Sequence, residues 1–364
     1  MKNIIFHHPL PLDEKSKSAS GIRPLRMLSA FRELGYEVDL VVGYSKERKK
    51  AIEEVKGNIK AGKKYDFVYA ESSTMPNVLT DPHHLPLHPF LDWFFFRFCK
   101  KNDIPIGLFY RDIYWCFDAY GAGLNFSKVI VAKAAYRFDL WIYKRNLAKL
   151  YLPSEEMGKY IPTVSSDIHS PLPPGHTLPD VETRLPYDKD KKLKLFYVGG
   201  MSNHYQLHKL FCAVVNLPNI ELTVCTREAE WLGVKHEYPD LTPNIKIVHL
   251  SGVEMEKQLN QSDIAVLFVK PQEYWKFASP VKLYEYLGYR KPILASEGTL
   301  AGKFVSENRI GWTLPYDVES VSECLQRLSE KSDATLAPRL ALESVSLKHS
   351  WQARALQVVK ELSK

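Results

Sequence analysis

The feature that most constrains the fold of this 364-residue chain is the alternation of short apolar runs with longer helical patterns. Apolar runs at residues 4–6 and 38–42 have the length of buried strands, and the segment between them repeats apolar residues every three positions from Leu25 to Leu34. The same alternation restarts at Leu193. Strand and helix in regular succession predict parallel sheets covered by helices, an α/β fold.

A proline-rich interruption divides this alternation into two halves. Five prolines stand between residues 165 and 192, where neither a helix nor a strand can run through. We therefore predict an N-terminal domain at residues 1–170, a linker at 171–192 and a second domain at 193–345. A final helix within residues 346–364 has the spacing to pack on a domain. Packing on the nearest domain and crossing back to the first domain are both open at this point. The chain is about twice as long as a domain of roughly 100–200 residues, which agrees with two domains.

Composition excludes several classes of protein. With 45% hydrophobic and 25% charged residues, the chain is neither disordered nor low in complexity. No apolar run approaches the roughly 18–20 residues that a membrane-spanning helix needs. The first residues lead directly into a predicted strand, so we expect no signal peptide. Five scattered cysteines without a Cys-x-x-Cys spacing predict no disulfide framework and no zinc site, as expected of a cytoplasmic protein.

The net charge of +7 is concentrated in the first half of the chain. Through His176 there are 25 Lys and Arg against 19 Asp and Glu, and after it 24 against 23. Residues 91–98 are densely aromatic, and residues 128–149 interleave Lys and Arg with Phe, Trp and Tyr. Such a helix suits a peripheral contact with an anionic membrane, although core packing on one face is the alternative. No nucleic-acid-binding module is recognisable, so we expect no nucleic acid partner.

The most informative segment begins at Ser279, which suits a helix N-cap, with Pro280 as the first helical residue. The free amides of that first turn, including that of Val281, form a natural anion site. Lys282 adds a positive charge in the same turn. Glu285 follows three residues later on the same face, where a carboxylate can accept from two vicinal sugar hydroxyls. A surface ion pair between Lys282 and Glu285 is the alternative interpretation.

The string from Phe277 to Ser296, with its core Pro-Val-Lys-Leu-Tyr-Glu-Tyr, is similar to the donor-binding signature of GT-B glycosyltransferases. The likeness is to family 4 and its bacterial cell-surface relatives in particular. It implies two Rossmann-like doubly wound domains facing a central cleft, with Lys282 contacting the diphosphate of a nucleotide sugar and Glu285 its ribose. Retaining members usually carry a glutamate eight residues before Glu285, where this chain has Phe277. The resemblance therefore leaves the stereochemical outcome open.

Further donor-site candidates follow strands of the second half. Gly199 and Gly200 end the strand at 193–198 and allow close approach of backbone to phosphates, as in the first glycine turn of the donor domain. Arg227 follows the next strand, at the sheet edge where such folds bind ligands, and can pair with phosphate. The resemblance implies that His249 and Leu250, at the end of a third strand, hold the nucleotide base.

In the first half, the string from Tyr110 to Trp115 resembles the Arg-Asp-Leu-Trp string that follows a strand in family 4 members. It places Asp112 at a strand end as a candidate catalytic base, with helix capping as the alternative role. Glu71, at another strand end, is the rival base. The loop around Gly21 resembles a glycine loop near the donor phosphates or the acceptor, with Arg23 as an anion contact.

These features together predict a glycosyltransferase that moves a sugar from a nucleotide-diphosphate sugar to a hydroxyl of a saccharide acceptor, expected to be lipid-linked, in bacterial surface polysaccharide assembly. It is expected in the cytoplasm, at the inner face of the cell membrane. Members of the family need no bound metal and no Asp-x-Asp stands in a suitable place, so we expect no metal and no cofactor. Two alternatives stay open: a GT-B nucleotide-sugar epimerase, and a degenerate transferase that serves as a scaffold.

Overall fold

The chain forms two compact units in the computed structural model. Unit 1 comprises Met1–Pro174 together with Trp351–Lys364, and unit 2 comprises Gly175–Ser350. Residues 178–191, which make up most of the expected linker, lie outside the residues that the structure describes. The described residues are 2–16, 19–117, 120, 121, 123, 125–177, 192–202, 205–330 and 335–363.

Unit 1 is built on a parallel sheet with the strand order β2-β1-β3-β4-β5-β6. Its strands are β1 (Lys2–His8), β2 (Tyr36–Val42), β3 (Phe67–Glu71), β4 (Ile106–Phe109), β5 (Lys149–Leu152) and β6 (His169–Pro171). The helices between them are α1 (Ala19–Glu33), α2 (Ser45–Lys60), α3 (Leu91–Lys101) and α4 (Phe126–Asn146).

Unit 2 repeats the plan with the strand order β12-β11-β10-β7-β8-β9, again with parallel pairs. Its strands are β7 (Leu193–Val198), β8 (Ile220–Cys225), β9 (Ile245–Val248), β10 (Ile264–Leu267), β11 (Ile293–Ser296) and β12 (Gly311–Leu314). Its helices are α5 (His208–Val214), α6 (Glu228–Val234), α7 (Val253–Gln261), α8 (Val281–Gly288), α9 (Leu300–Asn308), α10 (Val318–Glu330) and α11 (Leu336–Leu347).

Both sheets are covered on both faces, which explains why central strands such as β3, β4, β10 and β11 are buried along their whole length. In β1, Ile4 and Phe6 join the core formed with α1, while the ring of His7 on the opposite face packs against Phe95 and Phe96 of α3. In β7, successive side chains likewise enter two different cores of unit 2. Side chains of a strand alternate between faces, so a strand buried on both sides is apolar at most positions, and the buried polar residues of β1 and β3 lie at or near their carboxyl ends.

The last helix, α12 (Trp351–Leu362), belongs to unit 1 although it follows unit 2 in the chain. Its buried side chains have helical spacing and join the core of β1, β3 and α1: Trp351, Ala355, Val358 and Leu362. The glutamine Gln357 donates to the carbonyl of Pro171 at 2.9 Å, which adds a polar tie to β6. The core of unit 1 is therefore assembled from both ends of the sequence.

One predicted element needs correction. The aromatic and basic stretch at 128–149 is expected as one helix, but α4 ends at Asn146 and Lys149 opens β5. Leu147 already has extended backbone angles. The run that follows has three buried apolar residues and completes the sheet beside β4, which outweighs continuation of the helix.

Candidate functional site

The strand order of unit 2 reverses between β7 and β10, with β8 on one side and β11 on the other. In open parallel sheets, ligands bind beyond the carboxyl ends of the strands at such a reversal. Gly199 and Gly200 follow β7, and α8 lies in the connection that leaves β10. The topology therefore brings the predicted glycine turn and the predicted donor helix to the same edge of the sheet.

The first turn of α8 differs in detail from the prediction. Pro280, and not Ser279, holds the capping position, with extended backbone angles of −70° and 131° and no side-chain cap. The Ser279 hydroxyl instead lies 3.3 Å from the hydroxyl of Tyr284. The amides of Val281 and Lys282 have no acceptor among the described residues. The helix N-terminus thus offers uncapped N–H groups, and its dipole favours an anion.

Lys282 and Glu285 lie on the same face of α8, as their spacing predicts. Nζ of Lys282 donates to Oε2 of Glu285 at 2.5 Å, and the two side chains are 32% and 31% exposed. The ion pair that the sequence left as an alternative is therefore present. Because a pair this exposed is worth only about 0–1 kcal/mol, either partner can exchange it for a ligand contact at little cost.

The glycine turn after β7 is shaped by its own neighbours. A Cβ on Gly199 would lie 2.7 Å from the hydroxyl oxygen of Tyr197, which donates to the carbonyl of Gly200 at 2.7 Å. Glu230 accepts from the amide of Met201 at 2.9 Å and from Nη1 of Arg227 at 2.7 Å. The side chain of Arg227 is 83% exposed, so its guanidinium is accessible to a ligand.

The ends of β8 and β9 are tied together beside this turn. Nδ1 of His249 lies 2.8 Å from the carbonyl oxygen of Thr226, so this nitrogen carries the hydrogen that is donated. Cys225 donates from Sγ to the carbonyl of Leu250 at 3.3 Å. Burial raises the pKa of Cys225, with nearby Lys282 acting in the opposite direction. His249 and Leu250 thus border the same edge as α8.

Phe277, which replaces the glutamate of retaining relatives, is a core residue here. It is 2% exposed and its ring lies 5.5 Å from that of Tyr274 in a T-shaped contact. An apolar side chain in this place provides packing and no hydrogen-bonding group.

In unit 1, the rival base Glu71 is fully buried and engaged on both carboxylate oxygens. Oε1 lies 3.3 Å from Nε of Arg23 and accepts from the hydroxyl of Tyr69 at 2.8 Å. Oε2 accepts from Nη2 of Arg111 at 2.9 Å. A buried carboxylate with two guanidinium partners is held in its charged form by them and has the contacts of a structural residue. These contacts favour a structural role for Glu71, and its role as the catalytic base stays a prediction.

Arg23 likewise has the contacts of a structural residue, and its role as an anion contact stays a prediction. It is 3% exposed, and its guanidinium stacks over Phe109 with 3.5 Å to the ring centroid. Its Nη atoms donate to the carbonyls of Leu172 and Pro173 at 3.2 and 3.3 Å. Gly21, in the first turn of α1, instead lines a cavity.

Asp112 follows β4 and stands at the start of a short 3₁₀ turn at Tyr114–Cys116. Its Oδ1 accepts from the amide of Tyr114 at 2.9 Å, the local capping bond that the sequence allowed as an alternative. Burial raises the pKa of Asp112, with the hydrogen bonds from neighbouring amides acting in the opposite direction. A raised pKa makes the carboxylate a stronger base, so Asp112 keeps both roles open.

Sequence reasoning missed His8 and Arg111 as site residues. Both line a cavity of about 200 Å³ in unit 1, together with Asp13, Gly21 and Ser73 among others. The strand order of this sheet reverses between β1 and β3, and His8 ends β1. A polar pair at the end of a buried first strand, His7 and His8, is the signal that identifies this edge in the sequence.

Within the described residues, no helix is both long enough and apolar enough to cross a membrane. The same residues contain no group of three or more His, Cys, Asp or Glu side chains placed to hold a metal ion.

Solved structures of three proteins resemble this chain over nearly its whole length. HepE from Anabaena, solved with UDP-glucose, has 12% sequence identity and a TM-score of 0.63, covering 100% of this chain and 99% of its own. A glycosyltransferase from Rickettsia africae has 12% identity and a TM-score of 0.62, covering 99% and 97%. WaaG, a glycosyltransferase of lipopolysaccharide biosynthesis, has 13% identity and a TM-score of 0.58, covering 100% and 99%.

No protein-family model matches the sequence, and no curated protein matches it. At 12–13% identity, the solved structures establish the fold and not the family within it. They share with this chain the two parallel six-stranded sheets with interleaved helices, which confirms the predicted fold class, while the resemblance to family 4 stays a prediction. The chain has the two-domain α/β fold of the GT-B glycosyltransferases.

Proposed function

We propose that the protein is a glycosyltransferase that uses a nucleotide-diphosphate sugar as donor and a saccharide hydroxyl as acceptor. The observation that carries this proposal is the first turn of α8, where uncapped amides, Lys282 and Glu285 meet at the strand-order reversal of unit 2. The structural relatives support it, since HepE was solved with UDP-glucose and WaaG is a glycosyltransferase.

Each group of this edge has a chemical task in the proposed reaction. The bond between the acceptor oxygen and the anomeric carbon forms while the bond from that carbon to the phosphate oxygen breaks. The electron pair goes to the diphosphate, whose growing charge the amides of Val281 and Lys282, the ammonium of Lys282 and the exposed guanidinium of Arg227 stabilise. Glu285 accepts from the ribose hydroxyls. No metal and no cofactor is assigned a step.

Of the two carboxylates that the sequence offers as base, we assign the role to Asp112 for an inverting transfer. Burial raises the pKa of Asp112, which makes its carboxylate a stronger base, whereas both oxygens of Glu71 are engaged by guanidinium groups. The acceptor proton would pass to Asp112 as the new glycosidic bond forms. A retaining transfer does not need this base.

Calorimetric titration with UDP, GDP, CMP and ADP tests the donor site. We expect one nucleoside diphosphate to bind, with affinity lowered about tenfold to hundredfold in Glu285→Ala and Lys282→Ala, because each removes a hydrogen bond to a charged group. Glu273→Ala is the matched control, since Glu273 and Lys276 form another exposed pair three residues apart at 2.6 Å. If no nucleotide binds at millimolar concentration, the donor assignment is wrong.

Turnover separates the proposed reaction from its alternatives. A transferase releases the nucleoside diphosphate from its donor at a rate that rises with added acceptor. An epimerase converts one nucleotide sugar into another without acceptor, and a scaffold gives no turnover at all. Release of nucleotide that depends on acceptor is the result that we expect.

We further propose that unit 1 rests on the anionic inner face of the cell membrane, where a lipid-linked acceptor would be presented. Every charged side chain that α3 and α4 expose is Lys or Arg, and their two acidic residues, Asp92 and Asp139, are buried. Exposed apolar side chains lie on α3, on α4 and on the segment that leads into α3: Leu85, Leu87, Phe90, Phe94, Phe126, Ile130 and Val131. We call this surface the basic aromatic face.

The basic aromatic face has the composition of a membrane-surface element. The guanidinium of Arg145 stands 4.3 Å from the ring centroid of Trp141, and Trp141 lies 4.4 Å from Trp93 of α3. Aromatic rings with cations beside them suit the headgroup level of a bilayer, where anionic lipid attracts each Lys or Arg by about 1 kcal/mol.

Co-sedimentation with vesicles tests this surface. We expect binding to vesicles with 30% phosphatidylglycerol and little binding to pure phosphatidylcholine, with at least about a tenfold loss in Phe90→Ser/Phe94→Ser, because two partly inserted rings are removed. Leu340→Ser, an equally exposed apolar residue in unit 2, is the control. Equal binding by the double variant and the wild type would contradict the membrane proposal. It would not affect the proposal for the donor site.

A further inference from the structure

The cavity of unit 1 is a second candidate site, lined by residues of unit 1. It opens where the carboxyl ends of β1 and β3 meet, at the reversal of strand order in this sheet. Its volume of about 200 Å³ is below the roughly 300–1,000 Å³ of pockets for drug-sized ligands, and it suits a single sugar ring.

His8 presents a hydrogen-bond acceptor at this cavity. Its ring is 4% exposed, and Nδ1 lies 3.3 Å from the carbonyl oxygen of Glu71. A carbonyl can only accept, so Nδ1 carries the hydrogen and Nε2 of the neutral ring is an acceptor. Burial, followed by the nearby charge of Arg111, lowers the pKa of His8 to about 3, which keeps the ring neutral. Nε2 has no partner among the described residues.

Arg111 presents a donor at the same cavity. Its side chain is 10% exposed, with Nη2 donating to Glu71 at 2.9 Å and Nε to the carbonyl of Ser72 at 3.4 Å. Nη1 has no partner in the described part of the chain. A nearly buried acceptor and a nearly buried donor, both left to a ligand, match the hydroxyl groups of a sugar, which donate and accept equally well.

The charges around the cavity favour a neutral ligand over a phosphate. The guanidinium of Arg111 is already paired with buried Glu71, and the carboxylate of Asp13 also belongs to the lining. Glu71 is also paired with Arg23, so the two guanidinium charges exceed its negative charge by one, and Asp13 balances that remainder. An anion would therefore add a negative charge to a set of side chains that is already balanced. Leu10 and Pro11 add an apolar wall that suits the C–H face of a sugar ring.

We propose that this cavity binds one neutral monosaccharide unit of a substrate, with Nε2 of His8 accepting from one hydroxyl and Nη1 of Arg111 donating to another. The inference rests on the proposed function, because it names the chemical class of a substrate of glycosyl transfer. It concerns residues of unit 1 alone, whereas the proposed nucleotide contacts lie in unit 2.

Saturation-transfer NMR with the methyl glycosides of glucose, galactose, mannose and N-acetylglucosamine tests the proposal. His8→Asn keeps a donor near the place of Nδ1 for the Glu71 carbonyl but has no atom at the place of Nε2. Thr74→Trp fills the cavity from an exposed position of its lining, with little risk to the fold. His236→Asn, at an exposed histidine of unit 2, is the matched control.

We expect at least one glycoside to bind the wild type and His236→Asn equally well. Its affinity for His8→Asn should be about tenfold lower, because that variant loses a hydrogen bond to the sugar. Thr74→Trp should not bind it, because the indole ring occupies the cavity. The proposal is overturned if no glycoside binds, if both cavity variants bind like the wild type, or if inorganic phosphate displaces the glycoside. Thermal unfolding of each variant verifies that it is folded.

Nucleotide titrations on the same samples separate this inference from the proposed function. Nucleotide binding that persists in His8→Asn while glycoside binding falls supports both. Nucleotide binding without any glycoside binding overturns the cavity assignment alone, and absence of nucleotide binding overturns the proposed function and the inference with it. If a nucleotide sugar displaces the glycoside but the nucleotide alone does not, the bound monosaccharide belongs to the donor. If the glycoside and the nucleotide sugar bind at the same time, the monosaccharide belongs to the acceptor.

Discussion

Charged side chains meet at the sheet edge of each unit, but in opposite states. In unit 1, Glu71 is fully buried between Arg23 and Arg111, and its negative charge is neutralised by these two side chains. In unit 2, Lys282 and Glu285 form a pair with about a third of each side chain exposed. Burial makes a charge pair structural, because neither partner can leave without exposing the other, whereas partial exposure leaves it exchangeable.

The largest effect that this comparison predicts is on stability. Glu71→Ala leaves two guanidinium groups buried without their carboxylate, so the free energy of unfolding should fall by about 3–5 kcal/mol. Urea denaturation followed by circular dichroism measures it. A loss below 1 kcal/mol would mean that the arginines find other partners and that the Glu71 cluster is not structural.

Asp139 is a buried carboxylate that forms no ion pair with a Lys, Arg or His side chain among the described residues, so its effect on stability should differ from that of Glu71. Burial, reinforced by Asp92, raises the pKa of Asp139 to about 8, and its Oδ2 accepts from the amide of Asn77 at 2.8 Å. The folded state therefore keeps a proton that the unfolded state loses near pH 4. The stability that this proton gives is complete below pH 4 and is lost as the pH rises through about 8.

Asp139→Asn removes this dependence, because the amide stays neutral and its oxygen can still accept from Asn77. Relative to the wild type, the variant should gain roughly 2–4 kcal/mol between pH 5 and pH 8. Urea denaturation at both pH values measures the change. The pKa of Asp92 is shifted in the opposite direction. Burial would raise it, but Arg48 and His7 outweigh burial and lower it, so the contribution of Asp92 to the free energy of unfolding is lost only as the pH falls. A parallel pH response of the variant and the wild type would contradict the assignment to Asp139.

The smallest effect belongs to the exposed pair. Glu285→Ala should change the free energy of unfolding by less than about 1 kcal/mol, because solvent screens a pair that is a third exposed. The same variant is expected to weaken nucleotide binding, so its effects on stability and on binding should separate. Glu273→Ala should affect neither. If Glu285→Ala destabilises the protein as much as Glu71→Ala, the contrast between the two edges does not hold.

Features that depend on residues close together in the sequence could be predicted from it. The period of apolar residues identified most strands and helices, and the spacing of three residues brought Lys282 and Glu285 together. Ser279 was misplaced by one position because Ser and Pro both suit the start of a helix. The predicted helix at 128–149 extends past the end of α4 at Asn146, because no Gly or Pro separates α4 from β5.

Contacts between distant segments could not be predicted in this way. Glu71 and Arg111 are 40 residues apart, and only the pairing of β3 with β4 brings them together. Before that pairing is known, Glu71 is an acid at a strand end and Arg23 a cation near a glycine, which is also the pattern of catalytic residues. His8 was overlooked for the same reason, since its significance depends on which strand ends adjoin β1.

The position of α12 has a consequence for the order in which the protein acquires structure during synthesis. Unit 2 is a continuous stretch of chain and can fold as soon as it has left the ribosome. The core of unit 1 lacks Trp351, Ala355, Val358 and Leu362 until α12, which is made after unit 2, has left the ribosome. The core of the unit that is made first is therefore completed only after the second unit has been made.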